Sequence, residues 1–495
     1  MSQNSNQKSN LKWWVLGTVI IGTFLGRLDQ TIVGLATPKI IDDFGITVST
    51  AGWISTAYII ANAVFVPVWG KLGDTWGRKK VYVLGFIVFI IGSVLAGLAW
   101  NFPSMIAFRV LQAIAGSADY PTAMAILAAT FPAGKERAQA LGIWSASFAA
   151  AVVFGPLIGG PLIDNFGWRS VFLINLPVGI VGLLMALAII KESTSGETVK
   201  KFDLWGAFAL GAALSALVLV LEKGLDWGWL SGKSLVTYVV TIVAALIFVA
   251  IEKKHPDPIV DLKFFKIPVF VNVLANNFIV FMGMMGCVFL IPVFAATYLG
   301  LDATETGILF MPMALGMMVA APLGGRLTGK VEPRFVIFIS TLVAAAGLFL
   351  FMGLDPRSGS IDIMLPLFVM AAGLGFGMAQ RTNIIASAVP DSEVGIASSV
   401  LALARNIAGA FGIAFFGTIL NSATKSGVVN ASLFSNLNIH TPSNYATYTT
   451  LMTLKAQISA YRTVFFVAGI VLLIGAASSL MIKVKEKIGV HIMIE

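Results

Sequence analysis

The sequence predicts an all-α integral membrane protein with fourteen transmembrane helices. Of its 495 residues, 57% are hydrophobic and 12% are charged, whereas about 25% of the residues are charged in an ordinary soluble domain. Fourteen apolar stretches are long enough to cross a hydrocarbon layer of about 30 Å, which needs about 20 helical residues. The fourth stretch also carries a polar face. The predicted spans are residues 12–36, 50–72, 80–100, 103–131, 137–163, 168–191, 203–222, 233–252, 268–298, 304–328, 333–354, 362–388, 395–421 and 460–482.

The distribution of the 33 Lys and Arg residues predicts the orientation. Most of those outside the spans fall in loops on the side of the two termini, and basic loops are retained in the cytoplasm. We therefore expect both termini to be cytoplasmic, in a bacterial inner (plasma) membrane. The net charge of +9 does not indicate nucleic-acid binding, because the basic residues are spread over short loops and form no single patch. The expected partners are the lipid bilayer, protons and a small-molecule substrate. We expect a monomer.

Cysteine and histidine usage limits the possible chemistry. Cys287 is the single cysteine and lies within a span, so an internal disulfide framework is excluded. The three histidines fall in loops or tails, so none can serve a metal site or an intramembrane proton relay. They are His255, His440 and His491.

The polar face of span 103–131 consists of Arg109, Gln112, Gly116 and Asp119. At 100° per residue these positions fall within an arc of about 80°. Each charged side chain at membrane depth costs at least ~2.5 to 3.5 kcal/mol on insertion scales. The face therefore points to a partner or to a wet cavity, as is typical of a transport pathway.

Asp29 in the first span is the predicted partner of Arg109. The two spans run in opposite directions, and at 1.5 Å per residue the two side chains lie at similar depth in the outer half of the membrane. An ion pair would lessen the cost of burying both charges. The alternative is that each side chain faces separate water.

The loop after the second span, residues 70–80, reads GKLGDTWGRKK. Gly70 and Gly77 permit a tight turn and close helix approach, Asp74 can pair with a charge at a helix end, and Arg78 helps to hold the loop in the cytoplasm. This spacing resembles the signature loop of the major facilitator superfamily. The chain resembles that superfamily along essentially its whole length.

Further motifs resemble the fourteen-helix drug:proton antiporter branch of this superfamily. Residues 29–38 are similar to the first-helix motif L-D-x-T-I-V-N-x-A-x-P, with Gly34 in place of Asn, and Arg109 and Gln112 match R-x-x-Q-G in the fourth helix. The fifth-helix motif is similar to that of exporters and not of importers. It comprises Gly142, Gly155, Pro156, Gly159 and Gly160.

The fifth-helix residues also have a direct physical interpretation. Gly155, Gly159 and Gly160 form a small-residue surface on which another helix packs closely, and Pro156 breaks the hydrogen-bond ladder and kinks the helix. Such a bend could bias which side of the membrane opens. Ordinary tight packing explains the glycines equally well, but not the proline beside them.

The resemblance implies two six-helix halves, residues 12–191 and 268–482, with the substrate held between them near the midplane. Residues 192–267 would form an insertion and linker with two peripheral, mostly lipid-facing helices. Residues 1–11 read as a disordered cytoplasmic tail and 483–495 as a second cytoplasmic tail. The polar segment 422–459 reads as an external loop, either a lid or disordered.

The two halves repeat weakly, and aligning Pro390 with Pro132 places Arg381 over Ala123, one helical turn from Asp119. We therefore expect Asp119 and Arg381 at similar depth on opposite walls of the cavity, paired in one state and separated in another. The alternatives are a static structural pair, or an Arg381 side chain that reaches towards the cytoplasmic interface.

Other polar residues within spans are candidates for the substrate cavity. Asn276 lies one turn from Asn272, and Tyr58 lies one turn from Asn62. Each pair is as well explained by interhelical hydrogen bonds as by substrate contact. Arg405 matches an arginine often seen in the antiporter branch.

Together these observations predict a secondary transporter and not an enzyme. No nucleotide-binding loop is present, so we expect no cofactor and a proton gradient as the energy source. Asp29 is expected to be held ionised by Arg109, whereas Asp119 lies in an apolar wall and is the first candidate for the proton carrier. The favoured function is export of lipophilic or amphiphilic small molecules. The alternatives are a proton-coupled metabolite importer and a membrane sensor without turnover.

Overall fold

The computed structural model describes residues 2–46, 48–194, 203–256, 258–301, 303–433 and 442–482, and all regular structure in these ranges is helical. The α-helices of the described ranges are labelled α1 to α18 in chain order. They are α1 (Ser2–Phe44), α2 (Val48–Ala51), α3 (Trp53–Trp76), α4 (Arg78–Gly97), α5 (Phe102–Gly116), α6 (Asp119–Thr130), α7 (Lys135–Phe166), α8 (Ser170–Leu173), α9 (Asn175–Ile189), α10 (Leu204–Trp227), α11 (Gly232–Glu252), α12 (Pro268–Tyr298), α13 (Ala303–Leu309), α14 (Met311–Arg326), α15 (Pro333–Leu350), α16 (Ser360–Ser387), α17 (Val394–Leu433) and α18 (Pro442–Ser479).

Within the described ranges, twelve helices are long and apolar enough to cross a membrane. They coincide with twelve of the fourteen predicted spans. The other two predictions, residues 103–131 and 137–163, correspond to α5 with α6 and to α7. Helices α5 and α6, with 15 and 12 residues, are each too short to cross a membrane alone, because the break after Gly116 divides the span. The number of fourteen crossings therefore stays a prediction.

Two groups of helices pack against each other along two seams. Helices α1 and α3 to α9 form the first half, and α12 to α18 form the second. One seam joins α7 to α14, and the other joins α3 and α6 to α17. Glycines let the backbones approach along the first seam: a Cβ atom on Gly142 would lie 2.8 Å from the carbonyl oxygen of Ala321. Such close contact is typical of helix packing in membranes.

The inserted helices α10 and α11 differ from each other, and the prediction that both are mostly lipid-facing was wrong for α10. Helix α10 packs against α3 and α17 and so covers the second seam. Small buried residues, including Ala209, Ala213 and Ala216, allow this close contact. The hydroxyl of Thr56 on α3 donates a hydrogen bond to Glu222 on α10. Helix α11 packs mainly on α10 and leaves most of its surface exposed.

The fourth predicted span is broken between Gly116 and Asp119, because Pro121 has no N–H to donate to the carbonyl of Ser117. The N–H of Ala118 bonds to the Ala115 carbonyl, three residues back. The Ile114 carbonyl accepts instead from the Trp69 indole at 2.6 Å and from the Ser117 hydroxyl. The break separates Gln112 from Asp119 and so divides the predicted polar face.

Two segments predicted as irregular are helical where the structure describes them. Helix α1 begins at Ser2, within the predicted disordered tail. Helices α17 and α18 extend through most of the predicted loop 422–459, up to Leu433 and again from Pro442. Polar composition hid these extensions, since helices that continue beyond a bilayer have no need of an apolar surface. Residues 434–441, with His440, and residues 483–495, with His491, lie outside the described ranges.

Candidate functional site

Asp29, a fully buried carboxylate, lies at the centre of a polar cluster in the first half. Its Oδ2 accepts a hydrogen bond from Arg109 at 2.7 Å, as predicted, and this ion pair is 2% or less exposed. Its Oδ1 accepts from Gln112 at 3.0 Å and from Asn175 at 2.9 Å. We call Asp29, Arg109, Gln112, Asn175 and Ser93 the carboxylate network. The three donors fix the position of the Asp29 carboxylate.

Tyr58 packs against this network from α3, and Asn175 connects the network to α4 and α9. The guanidinium of Arg109 lies 4.3 Å from the centre of the Tyr58 ring, which is buried on α3. Such contact with an aromatic face stabilises a desolvated cation. Asn175 at the start of α9 also donates to the hydroxyl of Ser93 on α4. The sequence analysis did not identify Asn175. Its position as a polar residue within an apolar span could have marked it as a candidate.

Asp119 lies apart from this network, on the other side of the break after α5. Its side chain is half-buried, and its Oδ2 accepts a hydrogen bond from Thr23 at 2.8 Å. The Thr23 hydroxyl accepts in turn from the indole of Trp144 at 2.9 Å. The Oδ1 of Asp119 is shielded from solvent and has no hydrogen-bond partner. Thr23 and Trp144 were not predicted, because a threonine and a tryptophan in apolar spans read as ordinary core residues.

Asp119 and Arg381 do not form an ion pair in this structure. The Arg381 guanidinium donates to Asn276 at 2.7 Å and to Thr341 at 2.6 Å, both within the second half. Asn276 also donates to the Gly475 carbonyl. The structure therefore favours interhelical hydrogen bonding over direct substrate contact as the role of Asn276.

Arg405 joins the two halves. One guanidinium nitrogen donates to the hydroxyl of Tyr120 on α6 at 2.7 Å, while the others donate to Asn277 on α12 and Thr382 on α16, each at 3.3 Å. Near it on the α3 and α17 seam, Asn62 accepts a weak hydrogen bond from Asn406 at 3.4 Å. Arg405 and Asn62 thus lie between the halves, where the substrate was expected.

The halves are also joined at the end of the bundle that carries residues 70–80, here called the motif face. The Oδ2 of Asp74 accepts from the N–H of Ile396 at 3.0 Å, and Arg78 donates to the Asp391 carbonyl at 2.5 Å. Asp74 and Arg78 form a buried ion pair of 3.0 Å. The halves are therefore in contact at the motif face in this structure.

The two glycines of the motif loop have different structural roles. A Cβ atom on Gly70 would lie 2.8 Å from the Cβ of Ser399 across the seam. Gly77 has a φ angle of 120°, which L residues with side chains rarely adopt. It also lies against the Glu192 carboxylate, which accepts from the N–H groups of Lys79 and Lys80.

Two glycines of the fifth-helix motif, Gly155 and Gly159 of α7, face α1, whereas Gly142 faces α14. A Cβ atom on Gly155 would lie 2.4 Å from the Thr31 hydroxyl, and one on Gly159 would lie 3.0 Å from Ile32. Gly160 is half-buried on the same helix. The side chain of Pro156 lies outside the described part of the chain.

Gly116 lies next to the cation–aromatic contact of the carboxylate network. A Cβ atom on Gly116 would lie 3.1 Å from the hydroxyl of Tyr58 and from the Phe89 ring. The glycine therefore leaves the space in which the Tyr58 ring lies against Arg109.

Ionised groups outside the spans anchor the helix ends. Hydrogen bonds from Trp168 and Arg169 lower the pKa of Asp43, at the end of α1, below its ordinary value. Burial lowers the pKa of Lys263, but bonds to Glu393 and Asp261 outweigh this effect, so that the net pKa is raised. Lys263 thereby ties the linker before α12 to the start of α17.

Helices in two packed halves, with buried charges between and within them, define a polytopic membrane transporter. The sequence profile of the Major Facilitator Superfamily matches residues 19–413. The chain belongs to this superfamily, whose members are transporters and not enzymes.

Curated relatives cover most of the chain. The chain is 32% identical over 424 residues to the multidrug transporter protein MdtP of Bacillus subtilis. The aligned region covers 85% of this chain and 78% of MdtP. It is 30% identical over 400 residues to the multidrug resistance protein Stp of Mycobacterium tuberculosis, and the alignment covers 81% of this chain and 74% of Stp. It is also 30% identical over 411 residues to the riboflavin transporter RibZ of Clostridioides difficile, and the alignment covers 82% of this chain and 88% of RibZ.

Solved structures share the fold. The human organic anion transporter MFSD10 superposes with a TM-score of 0.64 at 15% identity, over 93% of this chain and 99% of that one. The proton:xylose symporter XylE gives a TM-score of 0.63 at 14% identity, over 95% of both chains. At these identities the similarity establishes the fold alone.

Proposed function

We propose that this protein is a proton-coupled antiporter that exports lipophilic or amphiphilic small molecules across the cytoplasmic membrane by alternating access. Its relatives MdtP and Stp are described as a multidrug transporter and a multidrug resistance protein. The glycine motif of α7, which resembles that of exporters, supports the same direction of transport.

The observation that carries the proposal is the environment of Asp119. No arginine is hydrogen-bonded to this carboxylate in the described residues, although Arg27 is close enough to act on it electrostatically. One carboxylate oxygen has no hydrogen-bond partner, and the side chain is half-buried. Tyr82, whose buried hydroxyl also has no partner, lies within electrostatic range of it. A carboxylate in such surroundings can take up and release a proton without breaking an ion pair.

The carboxylate network has a different role in this proposal. Asp29 is held by three donors, including Arg109, so its protonation would leave a buried cation unpaired. Asp29 and Arg109 therefore transmit the state of the first half, while Asp119 carries the proton. The break between α5 and α6 allows the two segments to move separately.

Proton flux in proteoliposomes tests the proposal. An imposed pH gradient is challenged with lipophilic cations, neutral compounds and anions, for the wild type and for Asp119→Asn. We expect at least one class to dissipate the gradient in the wild type, and Asp119→Asn to be silent although folded. Asp42→Asn, which changes an exposed carboxylate at the end of α1, is the matched control and should behave as wild type.

Two outcomes would count against the proposal. If Asp119→Asn transports protons as the wild type does, Asp119 is not the carrier, and Asp29 becomes the candidate. If no compound moves protons in either direction, coupling to protons is wrong.

Import of a metabolite is the second candidate, because the riboflavin transporter RibZ is as similar to this chain as Stp is. The proteoliposome assay separates the two directions. Export by antiport moves protons against the direction of the compound, whereas coupled import moves both in the same direction.

A further inference from the structure

Two arginines buried in the second half have only neutral hydrogen-bond partners. Arg381 and Arg405, here called the arginine pair, are 3% and 8% exposed. Arg381 bonds to Asn276 and Thr341, and Arg405 bonds to Asn277, Tyr120 and Thr382. No salt bridge in the described residues includes either arginine. Their charges therefore have no carboxylate beside them.

Such an arrangement is costly in a membrane. Arginine does not lose its proton in proteins, and a charged side chain at membrane depth is unfavourable unless it has a partner. Arg405 is also close enough to Arg381 to act on it electrostatically, and Arg27 acts on Arg405 in the same sense. Like charges brought together in this way favour binding of an anion.

A third donor accompanies the arginine pair. The consecutive residues Asn276 and Asn277 on α12 each accept a hydrogen bond from one guanidinium. Asn277 is fully buried, and its amide nitrogen has no hydrogen-bond partner. A buried donor without a hydrogen-bond partner is destabilising, because it has lost its bonds to water. An oxyanion oxygen at this position would satisfy it.

We infer that the arginine pair and Asn277 bind a carboxylate or a similar oxyanion group of the transported molecule. The planar guanidinium is well suited to such groups because its N–H donors match two oxygens at once. Arg405 also reaches Tyr120 of the first half, so the site lies at the junction of α6 with α12, α16 and α17, between the halves. The inference rests on the proposed transport function and adds the charge of its substrate.

This anion site adjoins the proposed proton site but uses other hydrogen-bonding groups. Asp119 bonds to Thr23, whereas Arg381 and Arg405 bond to Asn276, Thr341, Asn277, Thr382 and Tyr120, the neighbour of Asp119. Binding of an anion can therefore be measured without a gradient and without proton transfer.

Calorimetric binding to protein in phosphatidylcholine nanodiscs tests the inference with three probes of similar shape and different charge. These probes are 2-naphthoate, 2-naphthamide and 2-naphthylmethylammonium. We expect the wild type to bind 2-naphthoate at least tenfold more tightly than either of the others. Equal binding of all three, or strongest binding of the ammonium compound, would overturn the inference.

Variants assign the preference to the site. Arg405→Gln and Arg381→Gln should each lose the preference for 2-naphthoate by about tenfold or more, and Arg405→Lys should retain part of it. Arg357→Gln, which changes an exposed loop arginine, should bind as the wild type does. If the arginine variants fold and keep the preference, the inference is wrong.

Asn277→Asp keeps the test valid even if the arginine variants fail to fold. This nearly isosteric change adds a carboxylate beside the arginine pair, so we expect a higher melting temperature and loss of 2-naphthoate binding. A lower melting temperature together with unchanged 2-naphthoate binding would contradict the inference.

The same assay separates a transported anion from a lipid. If added phosphatidylglycerol abolishes 2-naphthoate binding, a lipid phosphate occupies the site and the substrate assignment is wrong. Selective 2-naphthoate binding with no proton flux in proteoliposomes would support the site and refute the proposed antiport. Proton flux driven only by cations, without 2-naphthoate binding, would support the proposed antiport and refute the anion site.

Discussion

At the scale of single residues, the buried polar groups differ in how completely their hydrogen bonds are satisfied. Asp29 has at least one hydrogen-bond donor for each carboxylate oxygen, since Arg109, Gln112 and Asn175 all donate to it. Asp119 has one oxygen without a partner. A fully bonded group resists a change of protonation, whereas a partly bonded one permits it.

The Asp29 and Arg109 pair leads to a prediction about stability. Asp29→Asn leaves Arg109 as an uncompensated buried charge, so we expect it to destabilise the protein by about 3 to 5 kcal/mol. The double variant Asp29→Asn with Arg109→Gln should be less destabilised than the sum of the single variants, because no charge is left unpaired. Melting temperatures in detergent provide the measurement. Additive effects would show that the two residues act independently.

At the scale of helices, small residues and proline set the packing and the bends. The α1 and α7 contact depends on Gly155, where a Cβ would lie 2.4 Å from the Thr31 hydroxyl. The division of the fourth span depends on Pro121, which cannot donate to the carbonyl of Ser117. Both features lie beside polar residues of the candidate site.

A matched pair of glycine substitutions tests the α1 and α7 contact. Gly155→Ala forces a shift between the helices and should destabilise the protein by about 1 to 3 kcal/mol. Gly34→Ala introduces a Cβ with no atom within 4 Å, and should be neutral or stabilising by about 0.5 to 1 kcal/mol. The melting temperatures of both variants test whether the α1 and α7 contact is tight. Equal effects would mean that α7 tolerates the added carbon and that the contact is not tight.

The break before α6 predicts a change in transport. Pro121→Ala restores an N–H that can bond to the Ser117 carbonyl, so we expect a straighter helix, a higher melting temperature and a lower transport rate. Pro333→Ala, which removes a proline from the first turn of α15, is the control and should change neither quantity strongly. An unchanged transport rate in Pro121→Ala would show that the break has no role in the cycle.

At the scale of the whole molecule, the motif face holds the two halves together. Asp74 and Arg78 belong to the first half and bond to Ile396 and Asp391 of the second. These bonds connect the end of α3 and the start of α4, which only Gly77 separates, to the first turn of α17 and to Asp391 just before it. The predicted loop 70–80 is therefore helical except at Gly77. The bonds between the halves stabilise one relative position of the halves.

Removing the Asp74 charge should open the motif face. Asp74→Asn weakens both the Arg78 ion pair and the acceptor for the Ile396 N–H. Spin labels at Ala133 and Lys330, one in each half, report the separation by electron paramagnetic resonance in a Cys287→Ser background. We expect longer distances for Asp74→Asn, and wild-type distances for Asp42→Asn. An unchanged distribution would mean that other contacts hold the halves closed.

The sequence alone determined the class of the protein, most of its helices and the residues of the Asp29 and Arg109 ion pair. These features depend on local information, since apolar length specifies a membrane helix and the helical period places Arg109 and Gln112 on one face. It also indicated the contact residues of the motif loop through their spacing.

Only the tertiary structure decided which helices meet and which polar groups become partners. It placed Asn175 beside Asp29, gave Arg381 the neutral partner Asn276 instead of Asp119, and packed α10 into the seam between the halves. These outcomes depend on the rotation and depth of each helix relative to its neighbours. Several rotations bury the same apolar surface, so the pattern along one helix does not specify them, whereas hydrogen bonds across helices do.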